Sequence, residues 1–210
     1  MSAVDFAYAQ ARMQARHGAR PDEASWRRLH ASTSLGHFLD VARTTGLAPW
    51  VAHLDASQSA HQIERSLRAE LESHVAEVAS WLPEGWRAAL RWTRELGRPG
   101  RLDVSGEPWG RRWRDLWPHL RGAERDGLDV FARMVAAHVE TMARADVDSD
   151  GWLLRAALRA STERLFRKHP AEPVTPFCHL ALTALDLERL RGALIRRACL
   201  ADVSSEVAWV

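Results

Sequence analysis

Six apolar residues, Ile63, Leu67, Leu71, Val75, Val78 and Leu82, recur at spacings of 4, 4, 4, 3 and 4. That rhythm draws one stripe along an α-helix, and it lacks the period-two alternation a half-buried strand needs. It predicts a long amphipathic helix over about residues 58–82, stopped before Pro83. Glu64 and Arg68 stand four apart and can pair on its outer side. A helix with one apolar stripe draws most of its stability from whatever covers that stripe, so the rest of the chain must supply partners.

The other segments also read as helices. Residues 3–17 carry Val4, Phe6, Ala7, Ala11 and Met13, with Gly18 as a stop. Pro21-Asp22-Glu23 opens a second helix bearing Trp26 and Leu29, with acids at its positive end. Ser34 can cap a third, in which Leu35, Phe38, Leu39 and Ala42 form an apolar face ended by Thr44-Thr45-Gly46. Residues 49–54 suit a further turn or two, and a helix from Pro83 to Leu96 carries Trp86, Leu90 and Trp92. Further on, helices are predicted over about 123–145 (Leu128, Phe131, Val135, His138, Met142) and 151–168 (Leu153, Leu154, Ala157, Leu158, Leu165). Pro170, Pro173 and Pro176 mark a bend. The final pair is predicted at about 176–185 and 187–201, with Asp186 capping the second.

The fold class expected is therefore all-α: antiparallel helical bundles in two lobes, residues 1–97 and 108–210, which can also pack as one domain. A Gly/Pro-rich linker, 98–107, separates them. A Trp-rich central helix follows it. Pro108 suits its first turn, Trp109, Trp113 and Trp117 recur every four residues with Leu116 and Leu120, and Pro118 should stop it near Trp117. Arg111, Arg112 and Arg114 lie off that stripe. The helix serves either to pack one lobe on the other, with Trp113 buried between them, or as a basic docking helix.

Composition narrows the function classes. An apolar fraction of 46% and a charged fraction of 27% are those of a soluble globular protein. The N-terminus shows no secretion signal, and no window approaches the ~18 apolar residues of a spanning helix. Cys178 and Cys199 both fall in apolar helical patterns and read as buried free thiols, which suits a cytoplasmic location. Residues 86–125 hold ten arginines against five acids, about +5, within a chain of net +2.

Catalytic and metal motifs do not emerge. Asp146-Val147-Asp148-Ser149-Asp150-Gly151 matches the first half of a calcium loop, but Ala157 stands where a bidentate glutamate is required. That stretch reads instead as a helix N-terminus capped by Asp148, Ser149 or Asp150. The ten histidines include no zinc spacing. Glu70, His74 and Glu77 share a helix face and read as solvated, while His138 reads as a core histidine. Phosphate-binding glycine loops and nucleophile elbows are absent, so no enzyme activity, metal or cofactor is expected. The alternative is a helical nucleic-acid-binding or regulatory module using the Arg/Trp-rich segment 86–125; the tryptophans at core spacing weigh against nucleic-acid binding. Arg111, Arg112 and Arg114 are the residues expected to bind a protein partner, because rim arginines steer association.

Several segments, taken in order, resemble one family. Phe6-Ala7-Tyr8-Ala9-Gln10-Ala11-Arg12-Met13 resembles the opening helix of the C-type subunit (d-type in eukaryotes) of the V-type and A-type rotary ATPases. Leu29–Leu39 followed by Thr44-Thr45-Gly46 is similar to its next segment, with Leu47 where the family has a tyrosine. Pro176-Phe177-Cys178-His179-Leu180-Ala181 and Asp186-Leu187-Glu188-Arg189-Leu190-Arg191 resemble its two closing helical motifs. The likeness covers about residues 4–100 and 128–200. Family members are longer, with three similar helical bundles where this chain has room for about two. The resemblance implies a non-catalytic, funnel-like member of a complex at the inner face of the membrane, with the rotor ring and the central stalk as partners.

Overall fold

The computed structural model describes residues 4–93, 107–120, 122–144 and 151–207. Among the described residues there are ten α-helices and no strand, so the chain is all-α. The helices are α1 (Val4–Gly18), α2 (Glu23–Ala31), α3 (Leu35–Arg43), α4 (Ala48–Val51) and α5 (Ala60–Ser80). They continue as α6 (Glu84–Trp92), α7 (Glu107–Asp115), α8 (Ala123–Arg144), α9 (Gly151–Lys168) and α10 (Thr175–Val207). The side chain of Trp109, the capping residues Asp148, Ser149 and Asp150, and nearly all of the expected linker 98–107 lie outside the described part.

Local chemistry sets the early helix starts. The Asp22 carboxylate accepts from the Ser25 amide at 2.7 Å, and Ser34 Oγ accepts from the His37 amide at 3.3 Å. Each satisfies an amide that the first helical turn leaves without a partner. The Thr44-Thr45-Gly46 turn ends α3, and a side chain at Gly46 would fall on the Ala19 carbonyl oxygen, so only glycine permits that approach.

By contact density the chain forms two units, each assembled from separate stretches. The first comprises Met1–Gln14 and His74–Leu185, the second Ala15–Ser73 and Asp186–Val210. These are not the stretches 1–97 and 108–210 that the sequence suggested.

The core of the first unit is aromatic. Trp86 meets Phe6 and Phe177 edge-on with centroids 6.0 and 6.1 Å apart. Trp113 meets Phe177 and Trp117 edge-on, each at 4.8 Å, and Phe131 at 5.6 Å. These are the offset geometries that ring quadrupoles favour. Trp113 is fully buried, and its indole N–H donates to the Ala89 carbonyl at 3.2 Å. Trp113 is thus a core residue of this unit, with Ala89 on one side of the glycine–proline segment and Phe131 and Phe177 on the other.

The second unit buries Trp26, Leu29, Phe38, Leu39, Ile63 and Leu67 against Leu187, Leu190 and Leu194. The half of the α5 stripe in this unit thus meets α10, while Val75, Val78 and Leu82 are buried in the first unit.

Three expectations need correction. The break near Asp186 does not occur: α10 runs unbroken, and the buried Asp186 carboxylate is held by Arg20 Nε at 2.6 Å instead of capping a helix. Cys199 is exposed, whereas Cys178 is buried. His138 is only partly buried.

Candidate functional site

The α7 arginines do not behave as a set. Arg111 and Arg112 are exposed on the side of α7 away from Trp113. Arg114 is partly buried, and its Nε donates to Asp129 Oδ1 at 3.2 Å. Arg125 Nε lies 3.4 Å from the other oxygen of the same carboxylate. Arg114 therefore ties α7 to α8, which leaves Arg111 and Arg112 as the outward pair. Arg114 and Arg125 line a cavity of about 220 Å³ with Trp117, Pro118, His119 and Leu120.

A second cluster lies in the core of the first unit. His74 on α5 and His179 on α10 are both buried, with their Nε2 atoms 3.2 Å apart. One ring must donate and the other accept, so two different protonation patterns face each other. His74 Nδ1 is 3.8 Å from Glu77 Oε2, and Glu77 is 3.7 Å from the Arg12 guanidinium, which lies over Trp81 at 4.7 Å. Polar contacts therefore run from the exposed Arg12 to the buried histidines.

The solvated place expected for His74 is thus wrong. It falls three residues after Leu71 and four before Val78, on the apolar stripe itself, and that spacing was the available signal. The separation of the two nitrogens would also fit two imidazoles on one tetrahedral ion. At 3.2 Å the two nitrogens form a hydrogen bond in this fold, and no group of three or more metal-ligating side chains occurs among the described residues. The neighbouring Cys178 thiol is pushed well above its ordinary pKa by burial and is held protonated, which suits packing and not nucleophilic attack.

A third feature is on the surface. Four large apolar residues are exposed among the described ones: Tyr8, Val130, Trp152 and Leu153. The last three belong to α8 and α9, at 41%, 68% and 49% exposure. Val130 and Met134 of α8, with Ser161, Arg164, Leu165 and Lys168 of α9, line a cavity of about 270 Å³. The early part of α8 thus lies beside the late part of α9, and the two helices run antiparallel.

Sequence reasoning missed this surface by treating the apolar residues of α9 as one face. At 100° per residue, Leu154, Leu158 and Leu165 cluster on one side, while Leu153 and Ala157 fall on another. Leu165 is buried, Leu154 and Leu158 are partly covered, and Leu153 and Ala157 face outward.

No protein-family model, curated protein or solved structure matches the chain.

Proposed function

We propose that this is a non-catalytic helical protein that works through protein–protein contacts, in the manner of the rotary ATPase subunit that links the membrane rotor ring to the central stalk. The observation that carries the contact role is the exposed apolar surface of α8 and α9, with Trp152 at 68% exposure. Apolar side chains gathered on one surface and rimmed by basic ones are what a docking site requires. The likeness of residues 6–13 and 176–191 to that rotary ATPase family supports the rotary assignment. Among the described residues no helix is long and apolar enough to cross a membrane, so a place at the inner membrane face would come through partners. Arg111 and Arg112 would steer the encounter. Nucleic-acid binding has less support, because Trp86 and Trp113 are fully buried and present no ring face for stacking.

The test is co-purification from detergent-solubilised membranes of the native host, with nuclease added. Rotor-ring and stalk proteins should accompany the tagged protein. The double change Arg111→Glu, Arg112→Glu should slow that capture while leaving the melting temperature unchanged. Recovery of nucleic acid alone, or of neither protein, would overturn the assignment.

A further inference from the structure

We infer that the outer face of α8 and α9 seats one amphipathic helix of a protein partner, with its apolar stripe over the alanines of α9 and its carboxylates against Arg164 and Lys168. This rests on the contact function proposed above and names the chemistry of the partner.

The face has a defined pattern. Leu153, Ala156, Ala157 and Ala160 are all exposed and lie within one arc of α9. Alanines let a second helix approach to the short end of the ~8–10 Å range of interaxial distances. Val130, Met134, Ala137 and Thr141 of α8 form the adjoining edge, none of them charged. From Leu153 to Lys168 the face is ~22 Å long at 1.5 Å per residue, enough for about four turns of a partner helix.

Charge decides the occupant. Arg164 and Lys168 close one end of the face and are exposed. Arg164 donates to Ser161 Oγ at 3.1 Å, and no carboxylate among the described residues pairs with it or with Lys168. Glu163 is engaged instead by Arg167 at 3.5 Å. Asp126 is exposed one turn before Val130, at the edge of the groove. An incoming helix with Asp or Glu at one end would neutralise what this surface leaves unneutralised. A second copy of the same face would not, since antiparallel pairing sets Arg164 and Lys168 beside Trp152 and Leu153. A lipid surface fits less well, because alanines offer little to insert into a membrane.

The experiment uses the full chain and two fluorescent helical peptides that share a Leu/Ala stripe, one flanked by glutamate and one by lysine, read by anisotropy. The acidic peptide should bind about tenfold more tightly than the basic one, the size expected of two surface ion pairs added to a common apolar contact. Arg164→Glu with Lys168→Glu should reverse that order. Ala157→Arg should weaken both peptides, and since Ala157 is exposed it should leave the melting temperature in place. Equal binding of the two peptides, a preference that survives charge reversal, preferential binding to anionic phosphatidylserine vesicles, or a dimer abolished by Ala157→Arg would each overturn the inference. Failure here with rotor and stalk proteins still co-purifying removes this face alone; failure of both removes the contact function as well.

Discussion

Arg197 is buried in the core of the second unit without a carboxylate partner among the described residues. Its guanidinium donates to carbonyls instead: Ser32 at 2.7 Å, Ala193 at 2.8 Å, and Leu29 and His30 at 3.3 Å each. The Leu29 and His30 carbonyls belong to the last turn of α2, where the helix itself supplies too few donors and the dipole favours a cation. Phe38 covers the guanidinium at 4.4 Å. Burial, with Arg196 nearby, pulls the Arg197 pKa below the ordinary arginine value. Arg197→Met keeps the packing and removes every donor, so it should cost about 3 kcal/mol or more in urea unfolding. Arg197→Lys should rescue little, since an ammonium cannot span the same fork. A methionine variant within about 1 kcal/mol of the parent would refute the capping role.

At the same helix end, His30 sits against Trp26 with ring centroids 5.9 Å apart and accepts from Arg189 Nε at 3.4 Å. Its pKa is lowered from 6.5, first by burial and then by Arg189, Arg197 and Arg196. A folded value below the unfolded one means the neutral ring is favoured in the fold. The stabilisation is therefore present above pH 6.5 and is lost as the pH falls through the folded value. The urea midpoint of the parent should decline on acidification from that point, and His30→Gln should decline less. Other groups shape the acid profile of the parent as well. The comparison between parent and variant, not the parent's slope, is thus the informative reading. Identical slopes would show that His30 plays no part.

At the scale of elements, the long amphipathic segments were legible because their spacing alone defines them: α5, α8 and α9 fall within about two residues of their predicted bounds. The cap at Ser34 was legible for the same reason, since donor and acceptor are three residues apart. What local pattern could not show is a polar residue satisfied from afar. Asp186 looks like a cap until Arg20 is placed against it, and the two are 166 residues apart. His74 looks solvated until His179 meets it, 105 residues away. The Pro-marked bend before α10 was legible as a bend but not in its conformation. Ala171 there takes φ +59°, the left-handed region that disfavours a Cβ, while its amide donates to Gln10 Oε1 at 3.2 Å. Ala171→Gly should therefore stabilise the protein by about 0.5–1 kcal/mol, relief of the left-handed strain outweighing the added freedom of the unfolded chain. A urea midpoint unchanged or lowered would show that the strain is absent.

For the whole molecule, the two units impose a requirement that a division at residues 98–107 would not. The first unit joins α6 and α7 to the beginning of α1 and most of α10's first half, and the second joins α2, α3 and the early part of α5 to the rest of α10. A fragment of residues 108–210 would keep Trp113, Phe131 and Phe177 but lose Phe6, Trp86 and the Ala89 carbonyl that Trp113 bonds. It would also keep Leu187, Leu190 and Leu194 without Trp26, Phe38 or Ile63 to cover them. A fragment of residues 1–97 has the opposite deficits. Each would expose large apolar surface at ~25 cal/mol per Å² against a net stability of only ~5–15 kcal/mol. Expressed alone, neither half should show a cooperative urea transition or dispersed methyl resonances, whereas the full chain should show both. Helical circular dichroism by itself would not decide the matter, because secondary structure persists in loosely packed states. A 108–210 fragment that unfolds cooperatively, with native-like tryptophan burial, would mean that the chain divides at the glycine–proline segment after all.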